Sequence, residues 1–235
     1  ENTATGCADF TTLTLGVTQG PAVFATTPLV ECDPDSNGFT SFDLTPAGLQ
    51  AVGGSIPAGV TVTFHETLTD AETGGEPVGP VYGNIQPGTQ TVYIRVEYDA
   101  TGCYSIQTVE LVVNPTPQPN PNPVSLQVCD DNTDGLAIFD LTQATAAILD
   151  GLSAADHTVT YHLTQTDAQS DAAPITGVLG FTTTDPGTQI IFVRVENNAT
   201  GCFTVVPLTL VVNPLPVVSQ PSVTPYTLCE TSQIP

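Results

Sequence analysis

The chain repeats itself. Cys32-Asp33-Pro34-Asp35-Ser36-Asn37-Gly38 returns 97 positions later as Cys129-Asp130-Asp131-Asn132-Thr133-Asp134-Gly135. Phe42-Asp43-Leu44-Thr45 and Val62-Thr63-Phe64-His65 return at the same offset as Phe139-Asp140-Leu141-Thr142 and Val159-Thr160-Tyr161-His162. After a two-residue insertion, Pro87-Gly88-Thr89-Gln90, Ile94-Arg95-Val96-Glu97 and Thr101-Gly102-Cys103 recur 99 positions on, at Pro186, Val193 and Thr200. Self-similarity at this period means tandem domains, so any element proposed for one copy must also serve the other.

The ends carry fragments of the same unit. Thr5-Gly6-Cys7 followed by Leu13-Thr14-Leu15 matches the last hairpin and strand of a preceding repeat, and Tyr226 to Glu230 matches the start of a following one. The expected organisation is a repeat fragment over 1–20, a full repeat over 21–114, a proline-rich linker over 115–123, a second repeat over 118–213 that includes the linker end, and a linker with the start of a third over 214–235. The parent protein is expected to be a longer array.

Each repeat reads as all-β. Thr61 to Phe64 and Thr158 to Tyr161 alternate β-branched and aromatic residues, and Thr91 to Tyr98 puts Val92, Ile94, Val96 and Tyr98 on one face. Glu110 to Val113 and Leu208 to Val212 supply final strands, each followed by Asn-Pro. Short helices are expected only around Pro46 to Val52 and Ala144 to Leu149. About seven strands in under 100 residues, with Gly/Pro turns between them, predict tandem immunoglobulin-like β-sandwich domains joined by proline-rich linkers. Pro at every second position from Pro115 to Pro123 favours an extended spacer.

Charge narrows the function. The chain of 235 residues has 24 Asp and Glu against two Lys and Arg, a net charge of -22, yet 40% of it is hydrophobic. It is a folded acidic object and not a disordered tail. With Arg95 and Arg194 as its only Arg or Lys residues, it lacks the means to neutralise phosphates, which excludes nucleic acid and anionic membrane surfaces as partners. No apolar run approaches the length of a bilayer span, so no membrane insertion is expected in this segment.

The acidic residues recur at metal-ligand spacing. Asp33, Asp35, Asn37 and the carbonyl of Phe39, with Gly38 at the turn, follow the first positions of a calcium loop. Asp130, Asn132, Asp134 and the carbonyl of Leu136 repeat the pattern around Gly135. An EF-hand would place a bidentate Glu where these loops have Leu44 and Leu141, so the expectation is calcium in a loop outside that fold, closed by Asp43 and Asp140. The competing reading is an acidic turn whose Asp and Asn side chains bond the local backbone.

Six cysteines, Cys7, Cys32, Cys103, Cys129, Cys202 and Cys229, point to an oxidising, extracellular setting. Two connectivities remain open. In-domain pairing joins Cys32 to Cys103 and Cys129 to Cys202, and is favoured; sequential pairing joins Cys7 to Cys32, Cys103 to Cys129 and Cys202 to Cys229. No catalytic signature of the GxSxG, HExxH or phosphate-loop type occurs, so no enzyme is expected. His65, His157 and His162 read as packing or surface residues, and Arg95 with Glu97, like Arg194 with Glu196, reads as a structural ion pair.

The combination of Cys-Asp-x-Asx-x-Asx-Gly, Phe-Asp-Leu-Thr, Arg-Val-Glu, Thr-Gly-Cys and Val-Val-Asn-Pro resembles the tandem immunoglobulin-like domains of large cell-surface adhesins of gliding Bacteroidetes. That resemblance implies type IX secretion, display on the cell surface, and a part in adhesion or gliding motility within a long filament. The expected function is a calcium- and disulfide-stabilised stalk segment whose partners are neighbouring repeats of the same chain. The alternatives are a module that binds a surface polysaccharide or protein, and a noncatalytic appendage of a secreted hydrolase.

Overall fold

A computed structural model describes residues 1 and 3–217. The segment from Tyr226 to Glu230 and Cys229, expected to open a further repeat, lie outside the described residues. The chain divides into two units, Glu1–Thr116 and Pro117–Pro235.

The first unit is built on a long hairpin of β5 (Thr89–Tyr98) and β6 (Tyr104–Pro115). β3 (Val60–His65) pairs antiparallel with β5, and β1 (Leu29–Asp33) runs parallel to β6, giving the sheet order β1-β6-β5-β3. The opposing layer is small. It holds the two-stranded ribbon of β2 (Ser41–Asp43) and β4 (Val81–Gly83), and the helix α1 (Thr45–Ala51). Phe42, Leu44, Ala47 and Ala51 from this layer meet Val92, Ile94, Val96, Val109 and Leu111 of the hairpin in one buried core. The predicted alternation in β5 therefore holds through Val96, whereas Tyr98 stands partly exposed at the strand end.

The second unit repeats the arrangement with β7 (Leu126–Cys129), β8 (Ile138–Phe139), α3 (Thr145–Leu149), β9 (His157–His162), β10 (Phe181–Thr182), β11 (Thr188–Asn197) and β12 (Phe203–Asn213). Its sheets follow the orders β7-β12-β11-β9 and β10-β8. Each unit is a sandwich of four strands against two, where the sequence predicts about seven strands. A helix fills the place of the missing strand, because Ala47 and Ala51, one helical turn apart, present a small apolar face to the sheet.

Two helices that hydrophobic periodicity does not reveal lie on the outer face of the larger sheets. They are α2 (Leu68–Thr73) and α4 (Gln165–Ser170). Both open on a threonine N-cap: Thr67 accepts from the amide of Asp70 and Thr164 from that of Asp167, each at 3.1 Å, and each hydroxyl donates back to the aspartate. The last-turn carbonyls find a cation. Arg95 Nη1 donates to the carbonyls of Ala71 and Glu72 at 2.7 and 2.9 Å, pairs with Glu97, and stacks on the Tyr104 ring 3.6 Å away. Arg194 does the same with Ala168, Gln169, Glu196 and Phe203. The expected Arg-Glu pairs form, and each is one contact of a buried guanidinium that also closes a helix C-terminus. His65 and His162 are fully buried beside these helices. Their ring nitrogens bond Thr63 and Gly75, and Thr160 and Ala172.

The proline-rich stretch differs from the expected spacer. Pro115 ends β6, and Thr116 bonds the carbonyl of Asp33 through both its amide and its hydroxyl. From Pro117 the chain packs on the second unit: Thr204 Oγ1 donates to the Pro117 carbonyl at 2.6 Å, and the Asn120 amide donates to Ile148. Pro117 and Pro119 are buried. The chain then bends at Pro121 and Asn122, where the Asn122 amide donates to Asn120 Oδ1 at 3.0 Å. The matching segment of the first unit, before β1, bonds Ala51 and Thr108 through Phe24 and Thr26. Leu13 and Leu15, expected in a final strand of a preceding repeat, are exposed, and the described residues before Leu29 form no strand. Such a strand would need the partner strands of its own repeat to pair with.

Replacing Arg95 by Met is expected to cost the first unit about 3 kcal/mol, because it strips Glu97 of its partner and leaves the α2 carbonyls open. Hydrogen exchange should show lost protection in α2 with α4 unchanged, and R95K should rescue only partly, since an ammonium cannot stack and fork in this way.

Candidate functional site

Topology puts the cysteines at the poles. In the first unit Cys32 is level with Asn114 near the end of β6, whereas Cys103 immediately precedes the start of β6. Eleven residues of strand separate those levels, about 36 Å at the usual rise. A disulfide needs Cα atoms within about 7 Å. The favoured in-domain pair Cys32–Cys103 is therefore corrected by strand length, and Cys129–Cys202 falls for the same reason, with Cys129 level with Asn213 and Cys202 just before Phe203. Cys32 and Cys202 are disulfide-bonded. Cys7, Cys103 and Cys129 are free thiols, so the sequential pairs Cys7–Cys32 and Cys103–Cys129 do not form either.

The chain leaves each unit beside one cysteine and enters it beside the other. Thr116, the last residue of the first unit, is bonded to Asp33 next to Cys32. Pro117, the first residue of the second unit, is held by Thr204, two residues from Cys202. In the first unit the corresponding entering residue is Gly20, where a Cβ would come within 2.6 Å of Ser105 Oγ, next to Tyr104 and Cys103. Each unit thus has an N-terminal pole marked by Thr-Gly-Cys and a C-terminal pole marked by the cysteine of its first strand.

At the C-terminal pole the acidic loop follows. Asp33 and Asp130 are buried, and their carboxylates accept the amides of the loop: Asp33 from Asp35 and Gly38, Asp130 from Asn132, Thr133 and Gly135. Burial pushes both carboxyls up, but these N–H donors outweigh it and hold both below the ordinary aspartate value. The second and third ligand positions bond each other. Asn37 Nδ2 donates to Asp35 at 2.8 Å, and Asn132 Nδ2 donates to Asp134 at 2.9 Å. The repeats have exchanged the order of Asn and Asp and kept one amide facing one carboxylate. Phe39 and Leu136 enter through their amides, which donate to Asn37 and Asp134. Asp43 and Asp140, expected to close the ion, face the hydroxyls and accept the amides of Thr45 and Thr142 at the starts of the following helical turns, and the hydroxyls first and the amides second lower both carboxyls. Among the described residues no three His, Cys, Asp or Glu side chains converge on a point where they could hold a metal.

The loop glycine is held from outside as well. Gly38, at φ +88°, has its carbonyl bonded by Gly88 and by Asn84 Nδ2, and a Cβ there would lie 2.7 Å from Pro87 Cβ. Asn84, replaced by Thr183 in the second unit, is a positioning residue that sequence spacing does not single out.

The sequence model of one family, the Flavobacterium inter-domain disulphide bond domain, matches residues 28–117 and 125–216. The chain belongs to that family. Its two inter-domain disulphide bond domains begin at the approach to β1 and β7, so the matched stretches carry both cysteine positions of each unit. No curated protein matches the chain. Among solved structures it is similar to EC1-2 of human mucin-like protocadherin, at 16% identity and a TM-score of 0.25 over 84% of this chain and 100% of the other. It is also similar to a three-immunoglobulin-domain segment of titin, at 9% identity and a TM-score of 0.28 over 81% and 64%. A SusE-like surface-located polysaccharide-binding protein of Bacteroides thetaiotaomicron is 14% identical with a TM-score of 0.32 over 82% of this chain and 34% of its own. At such TM-scores the fold is read from the strands of the inter-domain disulphide bond domains themselves.

Disulfide-bonded Cys32 and Cys202 match an oxidising, extracellular compartment. No helix among the described residues is long and apolar enough to cross a membrane.

Because the folded-state pKa values of Asp33 and Asp130 are depressed, their contribution to stability is complete above the unfolded aspartate value near 4 and is lost as pH falls through the folded values. Thermal melts from pH 6 down to pH 2 should show that loss. D33N and D130N should melt lower at pH 7 and show a shallower acid limb. G38A should also destabilise the first unit, by more than about 1 kcal/mol, since both its φ and its contact with Pro87 forbid a side chain.

Proposed function

We propose that the chain is a noncatalytic, load-bearing segment of an extracellular array whose successive repeats are tied pole to pole by disulfides. One observation carries this reading: among the described residues, the disulfide-bonded cysteines are the one at the C-terminal pole of the first unit and the one at the N-terminal pole of the second. The Thr116–Pro117 peptide bond links those poles. In this reading Cys32 pairs with Cys202, the disulfide-bonded cysteines among the described residues, and Cys103 and Cys129 are left to neighbouring repeats. The matched family's description as an inter-domain disulphide bond domain supports the same connectivity.

The mechanical consequence follows from the covalent geometry. A disulfide between neighbouring repeats adds a second covalent tie beside the peptide chain, which opposes pulling more than the peptide chain alone. Closing a loop of 170 residues also restricts the unfolded chain by about 5 kcal/mol in the chain-entropy account. An acidic surface without lysine keeps such rods apart in solution. Within this reading the array is the stalk of a cell-surface adhesin exported by type IX secretion and serving adhesion or gliding.

Calcium at the acidic loops is a separate proposal, and the ion would have to take the Asp33 and Asp130 oxygens from the amides that now occupy them. Calorimetric titration with parallel melts in calcium and in chelator decides it. Two sites with a raised Tm would establish calcium, and no heat with unchanged melts would leave both loops as self-bonded turns.

Mass mapping of the unreduced protein should recover a peptide joining Cys32 to Cys202. A Cys32–Cys103 or Cys129–Cys202 peptide would overturn the array reading. C32S/C202S should melt lower than the parent and lose all sensitivity of its melt to reductant.

A further inference from the structure

The first unit contains a peptide bond that the second lacks at the matching place. Buried Asp33 is followed by Pro34, whereas buried Asp130 is followed by Asp131. An Asp-Pro bond is intrinsically weak toward acid. The carboxylate reaches its own carbonyl carbon through a five-membered ring, and the proline nitrogen leaves as a secondary amine. Here the carbonyl under attack is also held. Thr116 donates to the Asp33 carbonyl through its amide at 3.2 Å and through Oγ1 at 3.1 Å, the hydroxyl also lying 3.3 Å from the Pro34 carbonyl. Both donors sit on the oxygen where negative charge gathers when that carbonyl is attacked. The carboxylate is fixed by the amides of Asp35 and Gly38, and the Pro34 ring is open to solvent. The second unit has Leu215 at the place of Thr116. The chain's other Asp-Pro bond, Asp185–Pro186, is exposed, and its Asp185 carbonyl accepts no hydrogen bond among the described residues.

We propose that the Asp33–Pro34 bond is a self-cleavage site, at which the folded first unit hydrolyses its own backbone in mild acid. A carboxylate oxygen of Asp33 attacks the Asp33 carbonyl carbon, and the carbonyl oxygen becomes an oxyanion held by the Thr116 amide and hydroxyl. The oxyanion collapses, the bond to the Pro34 nitrogen breaks, and that nitrogen takes a proton from solvent. The cyclic anhydride left on Asp33 adds one water and opens to two carboxylates, releasing two protons. One replaces the proton spent and the other charges the new amine, so the sum is one water consumed with no oxidant or reductant. The reaction runs once per chain and does not depend on how the cysteines pair. Leu29 to Cys32 remain in register with β6 after the cut, so the two pieces part only when the unit is unfolded.

The test incubates the whole chain at about pH 5, above the ordinary aspartate value so that the fold persists, with chelator present to keep the carboxylate free. Samples are then reduced, unfolded and weighed by mass spectrometry. Pieces 1–33 and 34–235 should accumulate at least about tenfold faster than the cut at Asp185–Pro186, and in urea at the same pH the two bonds should break at equal rates. T116V should slow the first cut by about tenfold or more, T116S should restore it, and neither should alter the cut at Asp185–Pro186. D33N should abolish the first cut. Equal rates at the two bonds in the folded chain, no cut at Asp33–Pro34 there, or T116V cutting as fast as the parent would overturn the proposal. The comparison of the two bonds within the parent stands even if a variant does not fold, and the array reading is untouched by any of these results.

Discussion

The length of the β5–β6 hairpin, and of β11–β12 in the second unit, governs the chemistry of this protein. A strand of eleven or twelve residues runs the full height of each unit and carries a cysteine level at either end. Because β1 and β7 run parallel to the last strand, their cysteines align with its finish, while Thr-Gly-Cys precedes its start. About 36 Å of extended backbone lies between the two. A bond of fixed, short reach cannot join the two cysteine levels of one unit.

What keeps that long sheet in shape is a small set of buried polar groups on a chain otherwise loaded with negative charge. The two arginines are spent inside, one per unit, each holding a helix end, a glutamate and an aromatic ring together. Asp33 and Asp130 gather loop amides at the C-terminal pole, and Thr116 fastens the outgoing chain to the same spot. These groups are satisfied by backbone partners, which makes them rigid supports for the neighbouring cysteines.

Much of this was legible along the chain. The duplicated motifs reveal two domains, the alternation in Val92, Ile94 and Val96 reveals a core strand, and the alanines of Pro46 to Val52 mark a helix. The acidic loops were legible as loops, but their spacing alone cannot separate a ligand cage from a turn. The same oxygens serve both, and only the placement of the Gly38 and Gly135 amides shows which atoms they meet. The exchanged Asn and Asp between the repeats was a readable sign of an amide facing a carboxylate. Helices α2 and α4 were missed because six residues with one buried alanine leave too short a periodic signal, although Thr67 and Thr164 with aspartate three residues on are capping signals.

The sequence by itself determined the repeat, the all-β character, the acidic surface and the oxidising setting, since these depend on composition and on residues near one another in the chain. Which cysteines lie level with one another, whether the prolines space domains or lie along one, and which backbone amides the aspartates face were decided only by the tertiary structure. Those outcomes depend on strand direction and length, which bring Asn114 beside Cys32 and carry Cys103 to the far pole, distances that residue spacing along the chain does not encode.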